Sequence, residues 1–114
     1  MKREVMEKWV AVLRSGEYKQ GRTQLKDGDT YCCLGVLCEI SGEYYSDGAG
    51  DLSPEVQDWA GMDSSDGWLP KEYKAKDGSR SWVLYELNDR EDDKGKSLSF
   101  KQIANIIEKN WREL

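Results

Sequence analysis

Tyr31-Cys32-Cys33-Leu34-Gly35-Val36-Leu37-Cys38-Glu39-Ile40 is an almost unbroken apolar run in a chain of 114 residues, and the architecture turns on whether it is strand or helix. By periodicity alone such a run is either a buried strand or a buried helix. Cys32, Cys33 and Gly35 are small, which favours a buried helix packed close to its neighbours, with Gly42 just past its end. Adjacent cysteines rarely pair, and the chain has no His and no fourth Cys to complete a zinc site. An odd thiol count inside an apolar stretch reads as small buried hydrophobes in a reducing compartment. A catalytic thiol needs a base beside it, and the usual base, His, is missing.

Upstream of this run, Asp27-Gly28 predicts a hairpin turn, with Gln24-Leu25-Lys26 and Thr30-Tyr31-Cys32 as the arms. Earlier still, Val5, Met6, Trp9, Val10 and Leu13 fall at helical spacing, so residues 3–14 read as an amphipathic helix stopped at Ser15-Gly16. Downstream, residues 43–53 read as a loop. Ser53-Pro54-Glu55 has the form of an N-cap with Pro at the first helical position, opening a short helix that buries Val56, Trp59 and Ala60. Residues 61–80 read as irregular, with Trp68-Leu69-Pro70 anchoring them and Trp68 the best exposed aromatic contact. Residues 81–87 fit a strand or a short helix equally. In the last helix Ser99 and Gln102 form a capping box, and Phe100, Ile103, Ala104, Ile107 and Trp111 share one face. The sum is one small α+β domain, with three to four short helices packed on a small antiparallel β-ribbon.

At 38% hydrophobic and 11% aromatic residues the chain has the material for a core and is not a disordered acidic polymer. No apolar stretch approaches the roughly 20 residues that span a bilayer, and MKREVMEKW holds no signal-peptide core, so a soluble cytoplasmic protein is expected, with no membrane partner. The absence of His removes His-based triads and general bases. Net charge is −5, which argues against direct binding of nucleic acid. The charge is also uneven: residues 1–26 sum to +4, residues 27–70 hold ten acids and no Lys or Arg, and residues 71–114 sum to +1. The plain reading of the acidic span is a solvated surface; the functional one is a negative face that imitates nucleic acid.

No GxGxxG or GxxxxGK[ST] phosphate cradle is present, and no cofactor is implied. Asp47-Gly48-Ala49-Gly50-Asp51 is oxygen-rich but lacks the ligand spacing of an EF-hand, so it reads as a turn and no metal site is assigned. The strongest polar constellation runs from Arg14 through Ser15, Tyr18 and Gln20 to Arg22. Its arginines suit a phosphate or carboxylate, and its Tyr could stack on a base. Its plain reading is a helix end followed by a solvated turn. Asn88-Asp89 would add amide and carboxylate contacts, or simply form a turn.

Trp9…Leu13-Arg14-Ser15-Gly16-x-Tyr18-x-Gln20-Gly21, then Tyr31-Cys32-Cys33-Leu34-Gly35-Val36-Leu37-Cys38, Leu87-Asn88-Asp89 and Ser99-Phe100-x-x-Ile103-Ala104-x-x-Ile107 form a pattern over most of the chain. In this the chain resembles a group of small, mostly uncharacterised proteins encoded by bacteriophages and prophages. The resemblance implies a viral accessory protein in the bacterial host cytoplasm. By analogy it implies antagonism of a host defence, in some cases by sequestering a nucleotide signal.

Three functions follow as expectations. The first is a non-catalytic protein that sequesters a small anionic or nucleotide-like ligand through Arg14, Ser15, Tyr18, Gln20, Arg22, Asn88 and Asp89. The second is an inhibitor whose acidic span binds a basic host protein. The third is a small carboxylate- or metal-dependent hydrolase. A homo-oligomer stays open.

Overall fold

The computed structural model describes residues 1–45 and 48–114. Helix α1 (Arg3–Ser15) forms as its spacing requires, burying Val5, Met6, Trp9, Val10 and Leu13, and ends at Gly16 in the left-handed region. The Asp27-Gly28 turn joins β2 (Lys26–Asp27) to β3 (Thr30–Tyr31) in an antiparallel pair. A further short strand, β1 (Lys19–Gln20), lies parallel to β3, so the ribbon is a small three-stranded sheet of mixed direction.

The apolar run is a helix, α2 (Cys33–Ser41), entirely buried from Cys33 to Cys38. Cys32 is its N-cap, with the sulfur accepting from the Gly35 amide at 3.4 Å. The helix presses so closely on the chain before it that a Cβ at Gly35 would overlap the Leu25 carbonyl. Trp9 of α1 reaches across to donate its indole N–H to the Cys33 carbonyl at 2.9 Å. The sulfurs thus lie in the packed centre of the molecule.

Helix α3 (Pro54–Ala60) starts at Ser53 as expected, although Trp59 is only half-buried. Residues 61–80 correct the sequence reading. Strand β4 (Trp68–Lys74) runs through them and pairs antiparallel with β5 (Arg80–Val83). The strand is hard to see because Pro70 and three charged residues interrupt the alternation and the ladder shifts register between Trp68 and Tyr73. Leu69, not Trp68, does the anchoring: Leu69 is buried and Trp68 is exposed. The undecided stretch 81–87 is both things in turn, strand to Val83 and then helix α4 (Leu84–Asp89). Five α-helices are present among the described residues, one more than the upper expectation.

Helix α5 (Phe100–Asn110) lies against α1 and runs into a 3-10 turn at Trp111–Glu113. Its capping box is complete: Ser99 Oγ accepts from the Gln102 amide at 3.2 Å, and Gln102 Oε1 accepts from the Ser99 amide at 2.9 Å. Ser99→Ala removes one of these bonds and is expected to cost about 1 kcal/mol, a fall of roughly 4–8 °C in thermal midpoint by calorimetry. No helix among the described residues is long and apolar enough to cross a membrane.

Candidate functional site

The polar residues singled out in the sequence are largely occupied by the protein itself. Ser15 Oγ donates to the Val12 carbonyl at 2.6 Å and accepts from the Glu17 amide at 3.1 Å, closing the turn after α1. The Tyr18 ring meets Tyr31 edge-on, with centroids 5.0 Å apart, and desolvation raises its phenol above the ordinary range. Arg22 donates to the Gly95 carbonyl at 2.9 Å and sits 3.6 Å from the Glu91 carboxylate.

Gln20, Asn88 and Asp89 do come together, as an internal junction. Asn88 is fully buried. Its Oδ1 accepts from Gln20 Nε2 at 2.9 Å and from the Cys33 amide at 3.3 Å. Its Nδ2 donates to the Gly21 carbonyl and to Asp89 Oδ1, each at 2.9 Å. An amide side chain has two donors and one oxygen with two lone pairs, so Asn88 has no capacity left for a ligand. Gln20 Nε2 also donates to the Leu98 carbonyl at 2.8 Å. This junction ties the β1 segment, the start of α2, the end of α4 and the approach to α5 to one another.

Arg14 turns the other way, toward α5. Its guanidinium donates to both Glu108 carboxylate oxygens at 3.1 Å and to Asn105 Oδ1 at 2.8 Å. Glu108 is correspondingly held below the usual carboxylate range by Arg14. Here α1 and α5 leave a groove of about 400 Å³, within the range of small-molecule sites. Arg3, Arg14 and Arg112 line it with Glu7, Glu108 and Trp111, over Met6, Val10 and Ala11. The Arg112 guanidinium lies over the Trp111 ring at 4.6 Å. The N-terminal amine donates to the Trp111 carbonyl at 3.1 Å, which pins the end of the groove.

Of the seven candidates only Arg14 lies on this groove. Arg3, Trp111 and Arg112 were missed. The signal for them is spacing: Arg3, Glu7, Ala11 and Arg14 follow one face of α1, and Glu108, Trp111 and Arg112 follow one end of the last helix. Only the pairing of the two helices makes the two rows one site.

The thiols have no place in such a site. Burial pushes Cys32 up to about 11 and Cys38 up to about 12, and Cys33 well above its ordinary value, so all three are protonated at neutral pH. Asp47 of the oxygen-rich loop lies outside the described residues, and among those described no cluster of His, Cys, Asp or Glu is placed to hold a metal ion.

No curated protein and no solved structure matches the chain. One family model does match, that of a domain of unknown function (DUF8296), over residues 1–45, which comprise α1, the small sheet and α2.

Proposed function

We propose that the protein is a non-catalytic binder of a small, anionic, nucleotide-like ligand, held in the groove between α1 and α5. One observation carries this reading: three arginines and a tryptophan line one groove together with Met6, Val10 and Ala11. Guanidinium groups bind phosphate in forked geometry, and a guanidinium stacked on an indole beside aliphatic side chains offers a planar surface to a base. Arg3 already pairs with Glu7 at 3.1 Å, and Arg14 with Glu108. Both pairs are substantially exposed, so rearranging them for a ligand costs only on the order of 1 kcal/mol or less. The chemistry fits the phage-like pattern, in which sequestering a host nucleotide signal would antagonise defence in the bacterial cytoplasm.

Native mass spectrometry after incubation with lysate from defence-active cells tests this directly. The expected result is a discrete adduct of nucleotide size, released unchanged on denaturation. Arg14→Ala combined with Arg112→Ala is expected to weaken capture by about tenfold or more, since each lost charge-assisted contact is worth roughly 1.5–3 kcal/mol. An adduct of equal occupancy in this variant would exclude the groove.

A second reading has its own support. Asp27, Asp29, Glu43, Asp51, Glu55, Asp58 and Asp63 are exposed and make no ion pair among the described residues. A basic host protein would meet unscreened carboxylates there, with affinity falling steeply as salt rises. A bare mass in lysate, together with salt-sensitive capture of a basic protein, would favour this reading over the groove.

A further inference from the structure

The β4–β5 hairpin stands apart from the acidic body in both charge and surface. Residues 68–83 hold Lys71, Lys74, Lys76 and Arg80 against Glu72 and Asp77, a net +2 on a chain whose total is −5. The hairpin is firmly seated. Leu69, Ala75, Ser81 and Val83 are buried beneath it, and the Tyr73 hydroxyl accepts from Asn110 Nδ2 of α5 at 2.8 Å. Asp77 is engaged in the turn, where its carboxylate accepts from the Ser79 amide at 2.9 Å.

Alternation then sets the outward face. Ser81 and Val83 point in, so Arg80 and Trp82 point out. Lys74 lies directly opposite Arg80 in the ladder, which puts both cations on that outward face. Like charges directly opposite are unfavourable, and neither cation has a carboxylate within ion-pair distance among the described residues. Beside them Trp82 is 46% exposed, whereas Trp68, at the base of the hairpin, pairs with Val83 and lies off this face. Unpaired opposed cations and a half-exposed indole both count against local stability, and such inconsistencies gather where a surface serves a partner.

We propose that this outward face binds single-stranded nucleic acid, with a base stacking on Trp82 and phosphates meeting Lys74 and Arg80. A partner that supplies closely spaced planar rings and negative charges matches the indole and the two cations on this face. An acidic peptide would satisfy the cations but leave the Trp82 indole without a stacking partner. The overall acidity of the chain opposes wrapping by a duplex, whereas a single strand needs only the width of the hairpin. This inference does not depend on the α1–α5 groove.

The test uses a labelled oligothymidylate of about 12 nucleotides, followed by fluorescence anisotropy at low and moderate salt. Binding is expected at low salt, with log affinity falling against log salt at a slope of about −1.4, as for two phosphate contacts on a single strand. Trp82→Ala is expected to weaken binding about tenfold, in line with the ~1–3 kcal/mol of one stacked base, while Trp82→Phe retains most of it. Lys74→Glu combined with Arg80→Glu should abolish it. Thermal midpoints of the Trp82 variants, close to that of the unaltered chain, establish that the fold is intact. No binding at low salt, or binding indifferent to Trp82→Ala, would overturn the proposal. So would equal affinity for polyglutamate, which marks a generic acidic partner, or a doubled mass lost in the charge-reversed variant, which marks a second copy of the chain.

Discussion

Asn88→Ala is expected to lower the thermal midpoint by roughly 12–25 °C, the equivalent of about 3–5 kcal/mol for a domain of this size. The side chain is fully buried and makes four hydrogen bonds. Truncation leaves the Cys33 amide and the Gly21 carbonyl without a side-chain partner, and each stranded buried group costs about 1–3 kcal/mol. Asn88→Asp separates shape from hydrogen bonding, because it keeps the volume but turns both donors into acceptors. It places a carboxylate against the Gly21 carbonyl and Asp89, and should destabilise at neutral pH at least as much as Ala. Differential scanning calorimetry at neutral pH measures both. A midpoint within a few degrees of the unaltered chain would mean the junction does not hold the fold.

Gly35→Ala is expected to cost about 3 kcal/mol or more, opposite in sign to the usual gain from Ala in a helix interior. Replacing Gly by Ala within a helix ordinarily stabilises by about 0.5–1 kcal/mol. Here the added Cβ overlaps the backbone oxygen of Leu25. That oxygen cannot swing aside like a side-chain end, because it accepts the Cys32 amide at 3.2 Å. The first turn of α2 must therefore back away from the Leu25 segment, carrying Cys33 from the Trp9 indole and the Asn88 amide that hold it. Chemical denaturation gives the magnitude, and a stabilised Gly35→Ala would refute the close approach.

These two positions show why the fold was more legible than the site. Local chemistry wrote the helices openly: the capping box at Ser99, the Ser53-Pro54 start, and the 3–4 spacing in α1. The helical reading of 32–40 rested on small residues, and the structure supplies the reason, since Gly35 lies on a neighbour's backbone. Strand β4 was hidden because its partner is the other arm of an exposed hairpin, so its sequence shows no clean alternation. The polar stretch around Ser15, Gln20 and Arg22 looked like a ligand site because it gathers side chains able to bind anions. What it binds in this structure is the rest of the chain, through contacts 68 to 78 residues away for Gln20. No local pattern announces such a partner. The groove residues Arg3, Trp111 and Arg112 lie at opposite ends of the sequence, and only the packing of α1 on α5 joins them.

A small anion held between α1 and α5, and not on the polar stretch after α1, leaves a distinct spectroscopic footprint. An amide-resolved nuclear magnetic resonance titration of the unaltered chain with a nucleoside diphosphate tests this placement most directly. Saturable shifts are expected at Arg3, Glu7, Ala11, Arg14, Glu108 and Arg112, with movement of the Trp111 indole N–H. Shifts centred instead on Tyr18, Arg22 and Asp89, or a spectrum unmoved at saturating ligand across a panel of nucleotides, would contradict it.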